Sequence, residues 1–120
     1  MRKETDVYGT VRYYNDLGQL HRTDGAAIER ANGSKVWYLN GKRHREGGPA
    51  IEWNNGYKEW RLNDLLHRED GPAVVYSNGD ERWYLNGIFL SDQEIEELKE
   101  KIRWHQEFDQ QVLELCGGDE

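Results

Sequence analysis

Cysteine is almost missing from this chain of 120 residues: Cys116 stands alone, so no internal disulfide can form and nothing argues for an oxidising compartment. Long apolar runs are missing as well. The opening MRKETDVYGT has no signal-peptide core, and no segment approaches membrane-spanning length, so a soluble, cytoplasmic protein is expected. There is no excess of basic residues. The net charge is −7, with 13 acids and 13 bases in residues 1–90 and 10 acids against 3 bases in residues 91–120. Generic nucleic-acid binding, which needs a clustered basic surface, is not expected. No cysteine pair, phosphate-cradling glycine loop or Ser-His-Asp arrangement occurs, so no metal, cofactor or catalytic residue is assigned. Apolar residues reach only 36% and the mean hydropathy is −1.04, leaving a modest core for one domain.

What the chain does have is a repeat. His21, His44 and His67 are 23 residues apart, as are Gly25, Gly48 and Gly71. The interval recurs at Trp37, Trp60 and Trp83, at Leu39, Leu62 and Leu85, and at Asn40, Asn63 and Asn86. Three copies in exact phase are three stacked structural units. Such a pattern also speaks against an enzyme, because catalysis needs one asymmetric constellation.

Each copy reads as a β-hairpin. Asn32-Gly33 and Asn40-Gly41 both suit two-residue type I′ turns, and Asn55-Gly56, Asn78-Gly79 and Asn86-Gly87 continue the series, with Asn63-Asp64 as its variant. A two-residue turn at Asn32-Gly33 sets Ala31 opposite Ser34 and Ile28 opposite Trp37. By the same count Ile51 faces Trp60 and Val74 faces Trp83. Alternation adds Leu39, Leu62 and Leu85 to that side, which is therefore the expected core. Tyr38, Arg61 and Tyr84, beside Val36, Glu59 and Arg82, are expected in water. Gly48-Pro49 and Gly71-Pro72 mark a bend between hairpins, since proline cannot donate to a central ladder. Residues 7–20 read as a degenerate half-copy with Tyr13 in the tryptophan place, Asn15 in the turn place and one extra residue.

The histidines could suggest metal or acid–base chemistry, but equivalent positions lie two strands, or about 10 Å, apart, too far to share one ion. Counting from Asn40-Gly41 puts His44 opposite Trp37 and His67 opposite Trp60. Leu90 holds the fourth such place, which makes it a packing position. Arg22, Arg45 and Arg68, with Asp24 and Asp70, are expected to pair with one another around the bend.

From Ser91 the period changes. Ser91-Asp92-Gln93-Glu94 is a capping box, and Ile95, Leu98, Ile102, Phe108, Val112 and Leu115 follow at helical spacing, with Gly117-Gly118 as a stop. The expected organisation is a cap over residues 1–20, three hairpin repeats over 21–90, an acidic helix over 91–116 and a tail over 117–120. The fold class is mainly β, an antiparallel meander of tandem hairpins with one C-terminal amphipathic helix. That helix is expected to lie on the Trp/Leu face as a lid; pairing with a second chain is the alternative. Glu94, Glu96, Glu97, Glu100, Glu107 and Asp109, with Trp104 off the apolar stripe, are the candidate partner-binding residues. Their charge suits a basic surface of a partner protein, such as a groove that otherwise holds nucleic acid.

The stretches WYLNGKRHREGGPA (37–50) and LHREDGPAVVYSNGDERWYLNG (66–87) resemble MORN-type repeats. The family's aromatic-x-x-Gly-x-x-His-x-x-Gly spine is met by Tyr38, Gly41, His44 and Gly47. Two features depart from it: His-Arg stands for the usual His-Gly, and Asp64 replaces the turn glycine. The resemblance covers residues 7–90. Its His-Arg-Glu-Asp-Gly-Pro-Ala form looks like a variant found in bacteriophage and large-virus proteins. It implies a hairpin array that acts by binding proteins or, in some cases, lipid surfaces. With the acidic helix, it points to a phage-type inhibitor of a host complex, such as a CRISPR-like nucleic-acid-dependent defence system in the host cytoplasm. A scaffold that homo-oligomerises through the helix and a lipid-surface module are the alternatives; neutral repeats and an acidic helix oppose anionic lipid.

Overall fold

The computed structural model describes residues 1–117, with side chains described through residue 106. The chain begins with β1 (Arg2–Thr5) and β2 (Val11–Tyr14). The first full copy holds β3 (Ile28–Glu29), β4 (Lys35–Val36), β5 (Tyr38–Leu39) and β6 (Lys42–Arg43). The second holds β7 (Ile51–Glu52), β8 (Lys58–Glu59), β9 (Arg61–Leu62) and β10 (Leu65–Leu66). The third holds β11 (Val74–Val75), β12 (Glu81–Arg82), β13 (Tyr84–Leu85) and β14 (Ile88–Phe89), and α1 (Asp92–Gly117) follows.

The strands form an antiparallel sheet in the order β1-β2-β3-β4-β7-β8-β11-β12, flanked by the separate hairpins β5-β6, β9-β10 and β13-β14. The chain divides at the tryptophan. Trp37 N–H donates to Ala50 in the large sheet at 2.7 Å, while its carbonyl accepts His44 N–H from the small hairpin at 3.1 Å. Trp60 does the same with Ala73 and His67. The result is one array with two rows, the large sheet and a line of small hairpins. The expected pairing of His44 with Trp37, His67 with Trp60 and Leu90 with Trp83 holds.

The two kinds of Asn-Gly turn differ, and this corrects the expected register. Asn40, Asn63 and Asn86 sit at φ 49–50°, followed by Gly41, Asp64 and Gly87 at 70–81°, which is the two-residue type I′ turn. At Asn32-Gly33 only the glycine is left-handed, at φ 92°. There Gly33 N–H bonds Arg30 C=O, and Arg30 N–H bonds Ser34 C=O, so the loop has three residues and a glycine bulge. Asn32 accepts the Ser34 amide instead of bending back. The extra loop residue shifts the pairing by one: Ile28 faces Val36, Ile51 faces Val36 and Glu59, and Val74 faces Glu59 and Arg82. Extending the same register places Ala27 and Ala50 beside Trp37, and Ala50 and Ala73 beside Trp60.

A physical reason selects this register. It makes a row of Tyr13, Ala27, Trp37, Ala50, Trp60, Ala73 and Trp83 in which large and small side chains alternate, and all three alanines are fully buried. The two-residue turn would have crowded isoleucine or valine against each tryptophan. A one-residue shift changes the face of the strand, so Ile28, Ile51 and Val74 do not share the tryptophan side. They line the opposite side with Val36, and Val36, Ile51 and Val74 are buried there. That side was expected in water. Glu59 is sheltered on it too, held by the Tyr57 hydroxyl and by Arg61 at 2.6 Å. Burial and the adjacent carboxylate together push the Tyr57 phenol well above its ordinary range. Leu39 and Leu62 do share a groove with Trp37 and Trp60, as expected. Of the tryptophans Trp83 alone is buried; Trp37, Trp60 and the three leucines are half-buried.

The N-terminal segment is more complete than a half-copy. Asp6 N–H bonds Thr10 C=O and Gly9 N–H bonds Asp6 C=O, repeating the bulged loop and bringing in β1, which the sequence reading missed. The extra residue lies at Asn15–Gln19, where a three-residue loop with Gly18 at φ 79° replaces the type I′ turn.

Candidate functional site

The repeated polar residues are engaged within the array. His21, His44 and His67 each accept, through Nδ1, the amide of the next copy's turn asparagine, Asn40, Asn63 and Asn86, at 2.9–3.0 Å. This is why the fourth position can be Leu90: no turn follows it to supply an amide. The position therefore serves as a hydrogen-bonded junction between copies, and packing alone is too narrow a description of it. Arg22, Arg45 and Arg68 lie 3.8–4.0 Å over the rings of Tyr13, Trp37 and Trp60. Each such stack is worth about 0.5–2 kcal/mol. Arg22 also bonds Asp24 and Glu29, Arg45 bonds Pro49 C=O and Glu52, and Arg68 bonds Asp70 and Pro72 C=O. The guanidinium is pressed against the bend, where a Cβ on Gly71 would lie 2.6 Å from Arg68 Cζ. Close approach explains this repeated glycine. Among the described residues, no group of three His, Cys, Asp or Glu side chains is placed to hold a metal ion.

The series breaks where α1 begins. Leu90 stands for histidine and Ser91 for arginine. In earlier copies the residue at that place, Arg22, Arg45 or Arg68, donates its amide to the next hairpin. Ser91 has no next hairpin, and Glu94 accepts its amide at 3.0 Å while Ser91 Oγ accepts Glu94 N–H at 3.2 Å. This is the expected capping box, and the Ser91 amide, followed by its hydroxyl, lowers the Glu94 carboxyl below its ordinary range. The cation over Trp83 comes from the helix: Lys99 Nζ lies 5.8 Å from the ring centroid. The start of α1 thus replaces the missing fourth junction. The sequence signal was the double break at Leu90 and Ser91, and Lys99 was missed.

Asp92, Ile95, Glu96 and Lys99 share a cleft with residues 79–83 at the β12 edge. Among the described residues, none from the helix lines the grooves over Trp37-Leu39-His44 and Trp60-Leu62-His67, so the described part of α1 is not the expected lid over these two tryptophans. The Cα radius of gyration of 18.0 Å, against about 14 Å for a compact chain of this length, agrees with a helix that is not folded over the sheet. Ile95, Leu98 and Ile102 are half-buried on one side of the helix. Glu96, Glu97, Glu100 and Trp104 fall on the other by helical spacing, and all are exposed, Trp104 by 60%. On the helix itself Glu96 pairs with Lys99 at 3.6 Å, Glu97 accepts from Gln93 at 3.2 Å, Glu100 holds Arg103 at 2.9 Å, and Trp104 meets the His105 ring edge-on. Glu94 belongs to the cap. Glu107 and Asp109 lie outside the residues whose side chains are described.

No protein-family model, no curated protein and no solved structure matches this chain. No helix among the described residues is long and apolar enough to cross a membrane.

Proposed function

We propose that this is a non-enzymatic protein-binding module in which a MORN-like hairpin array serves as scaffold and α1 presents an acidic contact. The observation that carries the reading is the exposed helix face of Glu96, Glu97, Glu100 and Trp104, which meets the array only at Glu96 among the described contacts. A ridge of carboxylates around one aromatic suits a basic surface on a partner protein. A groove that otherwise holds nucleic acid is such a surface, and the acidic ridge competes for it. On this reading the protein is a phage-type inhibitor of a nucleic-acid-dependent host complex, of which a CRISPR-like effector in the host cytoplasm is the leading case. The engaged histidines and arginines support binding over catalysis.

The test is affinity capture from host lysate with and without nuclease, using the wild-type chain and a Glu96→Lys/Glu97→Lys/Glu100→Lys variant. Recovery of the same basic protein in both conditions, lost with the variant, is the expected result. Recovery of no protein partner in either condition removes the inhibitor reading. A second reading, a scaffold that dimerises through α1, draws on the half-buried Leu98 and Ile102. Light scattering that gives a strict monomer removes it.

A further inference from the structure

Two grooves on the tryptophan face repeat with the array. One, of about 570 Å³, has Trp37, Leu39 and His44 as its floor and Asp24 and Glu46 on its rim. The next, of about 610 Å³, has Trp60, Leu62 and His67 beneath Glu46, Glu69 and Asp70. Arg45 and Glu46 line both, so the grooves adjoin. The charges they present to solvent are not the charges they contain. The side chains of Arg22, Arg45 and Arg68 are only 20%, 31% and 23% exposed, stacked on rings and bonded to the bend. Asp24, Glu46, Glu69 and Asp70 are 76%, 84%, 80% and 80% exposed. A partner therefore meets a floor of half-buried Trp37, Leu39, Trp60 and Leu62, with Arg45 and Arg68 laid on the two rings and carboxylates along the rim.

Successive grooves are two strands, or about 10 Å, apart across the sheet. A β-strand laid across them would not match, because its side chains alternate and every third residue points away. A polyproline II segment does match: it has three residues per turn and advances about 9 Å per turn, so every third side chain faces the same way. Its rings pack against the tryptophan and leucine side chains of the floor at little entropic cost. We propose that these grooves form one docking track for a basic, proline-rich segment of a partner protein, with a lysine or arginine at every third position directed to the rim carboxylates. The track goes beyond the helix contact and does not depend on it.

The test uses the full chain and a nine-residue probe of three lysine-proline-proline triplets, followed through the tryptophan indole resonances. Saturable shifts at Trp37 and Trp60, with Trp104 unmoved and affinity falling as salt rises, are the expected result. A glutamate-proline-proline probe should not bind, and a lysine-glycine-glycine probe should bind more weakly because it must be ordered. Glu46→Lys/Glu69→Lys changes two exposed rim residues and should weaken the first probe by about tenfold or more. The Glu96→Lys/Glu97→Lys/Glu100→Lys variant should bind it as the wild type does, which separates this track from the helix contact. Absence of saturable shifts, shifts confined to Trp104, or equal binding by the rim variant would each overturn the proposal.

Discussion

The array and the helix use charge in opposite ways. In the array the recurring arginines hold the next element, as where Arg45 lies on Trp37 and ties the bend to Glu52, and the single Asp64 accepts both the amide and the guanidinium of Arg43. Residues 1–90 are neutral overall, and their repeated histidines and arginines are consumed by cohesion. In α1 the charges pair over three or four residues on an exposed surface, where each pair contributes only about 0–1 kcal/mol. Repetition marks residues that build the protein. Charges outside the repeat, and repeat carboxylates that stay exposed such as Glu46 and Glu69, are the ones a partner can use.

The sharpest way to break this comparison is with two tryptophans. Trp60→Ala removes a ring between two alanines and beneath Arg68, and should cost about 3–5 kcal/mol. Trp104→Ala, on the exposed helix face, should leave the denaturation midpoint almost unchanged; equal losses would refute the division. Ala50→Leu overfills the gap between Trp37 and Trp60 and should cost about 1–3 kcal/mol in the same melts. Tolerance of leucine there would restore the two-residue turn register. His67→Leu removes the acceptor of the exposed Asn86 amide, costing about 0.5–1.5 kcal/mol, whereas Leu90→His has no following turn to bond and should bring no gain.

Acid provides a smaller test. Burial raises the Asp64 carboxyl, but the Arg43 amide and guanidinium outweigh it and hold the group below its ordinary range. A depressed carboxyl stabilises the fold above the ordinary carboxylate range, and that contribution is lost as pH falls through its lowered value. Thermal melts below about pH 4 should therefore decline less steeply for Asp64→Asn than for the wild type.

Much of the fold was legible because exact 23-residue phase leaves few alternatives. The type I′ turns at Asn40, Asn63 and Asn86, the pairing of histidine with tryptophan and the capping box at Ser91 all follow from local rules. The register of the larger hairpins did not, because Asn-Gly suits both a two-residue turn and a bulged loop. The choice between them is made by Ala27, Ala50 and Ala73 fitting between aromatic rings. The place of α1 was also illegible from periodicity alone, since an apolar stripe does not say which surface it meets. The missing histidine and arginine at Leu90 and Ser91 carried that information: the helix completes the end of the array.

The most direct measurement of the central claim is quantitative capture of the basic host partner by the wild-type chain and by the Glu96→Lys/Glu97→Lys/Glu100→Lys variant, with a thermal melt of each. The account predicts melts that agree within about 1 kcal/mol, since the three side chains are exposed, and loss of the partner only with the variant. Equal recovery by both chains, or recovery by neither, would contradict it.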